Sequence, residues 1–181
     1  MDAAQHRLAR SLSANGAKTC FRKRVRKAER IMTDDYQKYE IECERIKKHN
    51  AKLLDEFALW LKTSNLKEET IKQHVNNIDL YINEYLLYED AIEAKEGVSC
   101  ASMFLGYWFI KKAMWASPAQ IKSNAASLKK FYTFMLEKRL INKEELDELK
   151  QTIKEGTPEW IATMRRYDDP SITDMEDVWG I

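Results

Sequence analysis

The chain has 181 residues, 44% of them hydrophobic and 33% charged, with a formal net charge of +1. That length fits one domain with a tail at either end, and the apolar share is enough for a real core. Five glycines and three prolines disfavour a turn-rich β fold and favour helices, while the near-neutral total points neither toward nor away from nucleic acid.

Charge is unevenly spread along the chain. Residues 1–31 are basic, with Arg22, Lys23, Arg24, Arg26, Lys27 and Arg30 close together, whereas 143–181 are acidic. Oppositely charged ends are partly self-complementary, which would hide the basic end from DNA. The segment 1–31 lacks hydrophobic periodicity. It reads as a basic arm that folds on DNA, as a transit peptide in form only, or as an upstream extension before a start at Met32. No site is assigned to it.

Cys20, Cys43 and Cys100 are odd in number and widely spaced, with no C-x-x-C and no histidine pair. This argues against a disulfide framework and a zinc site, and for a cytoplasmic protein. No apolar run reaches the roughly 18 residues that a membrane span needs. Residues 32–52 are expected to form an N-terminal helix capped by Asp34 or Asp35, with a break near His49-Asn50 before it continues to Lys62. Leu53, Leu54, Phe57, Trp60 and Leu61 give its later part a wide apolar stripe. Thr63-Ser64-Asn65 ends it.

A second helix is predicted from about Lys67 to Tyr88, with Glu68 and Glu69 in its first turn and Ile71, Val75, Ile78, Ile82, Tyr85 and Leu86 on its apolar face. A polar connection, 89–98, leads to a third helix near Ser99. That helix is apolar on nearly every side (Met103, Phe104, Leu105, Trp108, Phe109, Met114, Trp115), the pattern of a central, buried element. Ser117-Pro118 opens a fourth helix burying Ile121, Ala125, Leu128, Tyr132 and Met135. Asn142 caps a fifth, from Lys143 to Glu155, closed by Gly156. Thr157-Pro158 starts a last short helix through Arg166, and the acidic tail from Asp168 is expected to be loose.

Opposite the second helix's apolar stripe lie Lys72, Gln73, Asn76 and Asn83; the fourth helix carries a comparable strip of Lys122, Ser123, Ala126, Lys129, Lys130 and Thr133. Lysine heads neutralise phosphates, amides reach base edges, and Ala126 permits close approach. On periodicity alone an ordinary solvated face is the stronger reading, since every amphipathic helix has a polar side.

The order of elements adds to this. Phe57-Ala-Leu-Trp-Leu61, Thr70-Ile71 opening the second helix, the string Leu128 to Phe134, and Leu140-Ile-Asn142 resemble the N-terminal core-binding domain of tyrosine recombinases (phage integrases). The resemblance implies an all-α, SAM-like four-helix core-binding domain over 53–142, with an N-terminal helical extension and one or two short C-terminal helices over 143–181. It implies that the second and fourth helices cross at the major groove of double-stranded DNA, with Lys72, Gln73, Asn76, Asn83, Lys122, Ser123, Lys129, Lys130 and Thr133 as contacts. Asn142-Lys143 stands where the family often has Asn-Pro leading into a catalytic domain.

Strand transfer in that family needs a tyrosine nucleophile, two arginines, a lysine and a His-x-x-Arg motif. After Leu140 there are only Arg165, Arg166 and Tyr167, with no histidine. Adjacent on one turn, they cannot surround a phosphate and read as surface charge or as an anchor for the tail. His6, His49 and His74 form no metal pair, and no phosphate loop or G-x-S-x-G elbow occurs. His74 reads as a core-edge residue. No catalytic residue, metal or cofactor is expected. The leading expectation is a DNA-binding module without strand-transfer chemistry, partnered by DNA and further by a full-length recombinase or a second copy. A helical protein-interaction module and a small dimeric DNA-binding regulator are the alternatives.

Overall fold

The computed structural model describes residues 35–180; the basic segment 1–31, Met32 and Asp34 lie outside them. The chain divides into two units, Met1–Glu42 and Cys43–Ile181. In the first, the described residues 35–42 are helical, with Lys38 and Asp35 paired at 3.2 Å one turn apart.

Among the described residues there is no strand, and the all-α expectation holds. Residues 43–62 form α1, whose Ile46, Leu53, Phe57 and Leu61 are buried at helical spacing. The expected break at His49-Asn50 does not occur. Asn50 is instead fully buried, and its Nδ2 donates to the Ile82 carbonyl at 3.2 Å and to Asn83 Oδ1 at 2.8 Å. A polar residue that looked like an interruption thus binds α1 to its neighbour.

That neighbour, α2, spans Glu68–Asp79 and runs directly into a π-helical turn, Leu80–Tyr85. A 3-10 turn, Glu96–Cys100, leads into α3. This composite helix comprises Ala101–Met103, a second π-helical turn Phe104–Trp108, and Phe109–Lys112. The two π turns meet through aromatic rings: Tyr81 and Tyr85 lie 4.8 and 5.1 Å from Phe104, centroid to centroid. Two buried tyrosine hydroxyls pin the intervening connection, Tyr81 donating to the Gly97 carbonyl and Tyr132 to that of Ala94.

The fourth helix, α4 (Pro118–Glu137), begins as the sequence predicts, with Pro118 in its first turn and Ser117 Oγ accepting from the Gln120 amide at 3.2 Å. It packs against α2 on one flank and α5 (Lys143–Tyr167) on the other. The central helix is therefore α4, not the third. In α3 Ala101, Phe104, Leu105, Phe109 and Ile110 turn inward, and Met103 is exposed. Beyond its end, Met114 is 98% and Trp115 60% exposed on the connection to α4. Their apolar character reflected a loop, not a core face.

Helix α5 starts with the full capping box between Asn142 and Glu145 but does not stop at Gly156. Leu146, Leu149, Ile153, Trp160 and Met164 form one buried stripe that crosses Gly156 and Pro158 without interruption. Thr157 Oγ1 donates to the Ile153 carbonyl. Gly156 serves packing: a Cβ there would come within 2.3 Å of the Trp160 ring, and one on Gly106 within 2.6 Å of the same indole. Trp160, only 6% exposed, is held between two glycines from different helices. Nor is the tail loose. Met175–Trp179 form α6, Arg166 donates through Nε to the Val178 carbonyl at 2.8 Å, and Trp179 packs 4.7 Å from Tyr107.

Replacing Gly106 by Ala should lower stability by about 1–3 kcal/mol through overpacking against Trp160, read as a lower urea midpoint with unchanged m. Gly156→Ala, whose added Cβ would come within 2.3 Å of the same ring, should lower stability by a similar amount.

Candidate nucleic-acid interface

Small side chains allow α2 and α4 to approach closely. Ser123, Ala126 and Ser127 follow one another at helical spacing on α4, and two of them meet polar residues of α2. Gln73 Nε2 donates to Ser123 Oγ at 3.0 Å. Asn77 Nδ2 donates to Ser123 Oγ and Ser127 Oγ, both at 2.9 Å. His74 Nδ1 lies 2.8 Å from Ser127 Oγ.

Ser127 has one hydroxyl proton, which it donates to the Ser123 carbonyl at 2.9 Å. It is therefore an acceptor toward both Asn77 and His74, which assigns the imidazole proton to Nδ1. Burial, with the positive charge of Lys130 second, holds the His74 pKa below its ordinary value. As the sequence suggests, His74 is a core-edge residue, buried and neutral.

The predicted contact residues separate into three groups. Lys72, Gln73 and Asn76 of α2 are exposed and line a groove of about 580 Å3, together with Asn77, Gln120 and Trp115. On α4, Lys122 and Lys129 are exposed, and Lys130, Ser123, Ala126 and Thr133 are half-buried. Among the described residues, none of Lys72, Lys122, Lys129 and Lys130 is in an ion pair. Thr133 Oγ1 turns back to the Lys129 carbonyl at 2.7 Å, so its hydroxyl serves its own helix.

Asn83 departs from the expectation of an outward-facing contact. It is half-buried, accepts from Asn50 and donates to Asp79 Oδ1 at 2.7 Å. The cause is the π turn, whose i→i+5 bonds break the 3.6-residue register that placed Asn83 with Lys72 and Asn76. Sequence reasoning missed Asn77, Ser127, Gln120 and Trp115. For the first two a signal existed: Asn77 follows Gln73 by four, and Ser127 follows Ser123 by four.

The two sides of the seam differ in charge. The groove beside α2 carries Glu69, Asp79 and Glu84 against Lys72 alone, whereas the outer face of α4 offers three lysines. The cationic side of the seam is therefore α4. Among the described residues no cluster of His, Cys, Asp and Glu has metal-holding geometry, and no helix is long and apolar enough to cross a membrane. No family pattern, curated protein or solved structure matches the chain.

The folded imidazole of His74 binds its proton less readily than the unfolded one, which titrates near 6.5. Stability contributed by neutral His74 is complete above that pH and is lost as pH falls below it. Urea midpoints measured on either side of pH 6.5 should therefore fall on the acid side, and His74→Gln should flatten that part of the profile. Ser127→Ala, which strands two donors, should cost about 1–3 kcal/mol.

Proposed function

We propose that the chain is a DNA-binding module of the SAM-like kind found at the N-terminus of tyrosine recombinases, acting without strand-transfer chemistry. The observation that carries this reading is the face of α4. Lys122, Lys129 and Lys130, free of ion pairs among the described residues, flank a small-residue seam that fixes α4 against α2. Three such ammonium groups on one rigid helix are suited to a run of duplex phosphates, with their counterions released on binding. Lys72 and Asn76 extend the polar surface across the seam.

The engagement of Arg166 supports reading the Arg-Arg-Tyr group after Leu140 as part of the fold. Arg166 is committed to the fold: it holds Glu159 at 2.7 Å, Thr163 at 2.9 Å and the Val178 carbonyl. A guanidinium so engaged is an anchor for α6, not a clamp for a reacting phosphate.

A protein-interaction module is favoured by one separate feature. A pocket of about 270 Å3 near the end of α2 is lined by Tyr85, Tyr88, Met103, Tyr107 and Trp108, with Glu89 and Asp90 among its lining residues. Rings with half-exposed faces are suited to an apolar anchor from a partner.

Fluorescence anisotropy of the 181-residue chain with a labelled duplex separates the two readings. DNA binding should weaken linearly on a log–log salt plot, and Lys122/Lys129/Lys130→Ala should make the slope shallower by about 0.9 for each phosphate no longer neutralised. No binding at low salt by a fully helical protein would exclude DNA as the direct ligand.

A further inference from the structure

The groove beside the seam has a chemistry that phosphate binding does not explain. Trp115, 60% exposed, stands on one wall at the loop before α4. Asn76 and Gln120 are also in the lining, and their side chains make no hydrogen bond among the described residues. Glu69 and Glu84 likewise have no partner among the described residues, whereas Asp79 already accepts from Asn83. With three carboxylates and one lysine, this lining repels a phosphate chain.

A nucleobase meets none of that repulsion. Its π face stacks on an exposed indole, and its edge pairs with carboxamides and carboxylates. An Asn or Gln amide complements N6 and N7 of adenine, and a carboxylate accepts from an exocyclic amine. The volume, about 580 Å3, is in the range of pockets that hold small organic groups. The lysines of α4, across the seam, are placed for the backbone that flanks such a base.

We propose that this groove takes one unpaired nucleobase, an adenine, stacked on Trp115 and read by Asn76 and Gln120. This rests on the DNA-binding reading above and assigns the groove a role distinct from that of the lysine face. Because the base must leave its stack to enter, the site favours DNA in which it is already unpaired.

The test compares two labelled duplexes, identical except for one bulged adenine, by anisotropy with the full chain at fixed salt. The bulged duplex should bind roughly tenfold more tightly, as loss or gain of one stacked base implies, and should quench tryptophan emission. Bulged thymine, without the exocyclic amine, should gain less. Trp115→Ala should abolish the preference while leaving affinity for the paired duplex unchanged; Lys122/Lys129/Lys130→Ala should weaken both duplexes alike. Equal affinity for the two duplexes, or a preference that survives Trp115→Ala, would overturn the base groove and leave the DNA reading standing. Absence of binding to either duplex would overturn both.

Discussion

The burial of α4 on two flanks is the constraint from which the rest of the structure follows. One flank presents apolar side chains to the core, where Phe131 meets Phe57 edge to face at 5.3 Å and Tyr132 lies against Tyr81. The other presents Ser123 and Ser127 to α2. Burying one large apolar side chain contributes about 1.5–3 kcal/mol, and a hydrogen bond contributes a net of about 0.5–1.5 kcal/mol. The aromatic flank therefore supplies most of the cohesion, and the serine flank decides where α2 sits. The seam is a positioning device more than a source of stability.

That division has a consequence for the surface. With α2 and α4 fixed, their outer side chains become a rigid pattern of charge: lysines over α4, carboxylates and amides beside α2. The seam also uses groups that would otherwise face a ligand. Gln73 and Asn77 direct their donors to serine hydroxyls, and Asn83 closes the link between α1 and α2 through Asn50. Lys72, Lys122, Lys129, Lys130, Asn76, Gln120 and Trp115 are the groups beside the seam that remain open to a ligand. Arg166 is likewise committed at the far end, where it holds the short final helix in place.

Features set by local chemistry were legible in the sequence. The Ser117-Pro118 start, the Asn142–Glu145 capping box and the apolar stripes of α1, α2 and α4 depend on neighbours within one or two turns. Features set by contact across the fold were not. Gly156 has the composition of a helix end, but its role comes from Trp160 and Gly106; the unbroken stripe from Leu146 to Met164 was the better guide. The π turns leave no compositional mark, yet they move Asn83 off the outer face. Trp115 and Met114 looked like core because hydrophobicity does not distinguish a loop tip from an interior, although their place between Lys111-Lys112 and Ser117-Pro118 left little room for helix. Of the candidate contacts, the lysines kept the exposure or half-exposure that the polar strip implied, because long charged side chains follow the solvent side of an amphipathic helix.

If one helix face, built on this seam, meets DNA, amide chemical-shift mapping by NMR will locate it. With the full chain titrated by a short duplex, the largest changes should fall on α4 from Lys122 to Thr133 and on the adjoining turns of α2, with the α5 and α6 amides unmoved. Changes centred instead on Tyr88, Met103 and Tyr107, or absent from α4, would refute the DNA-binding face.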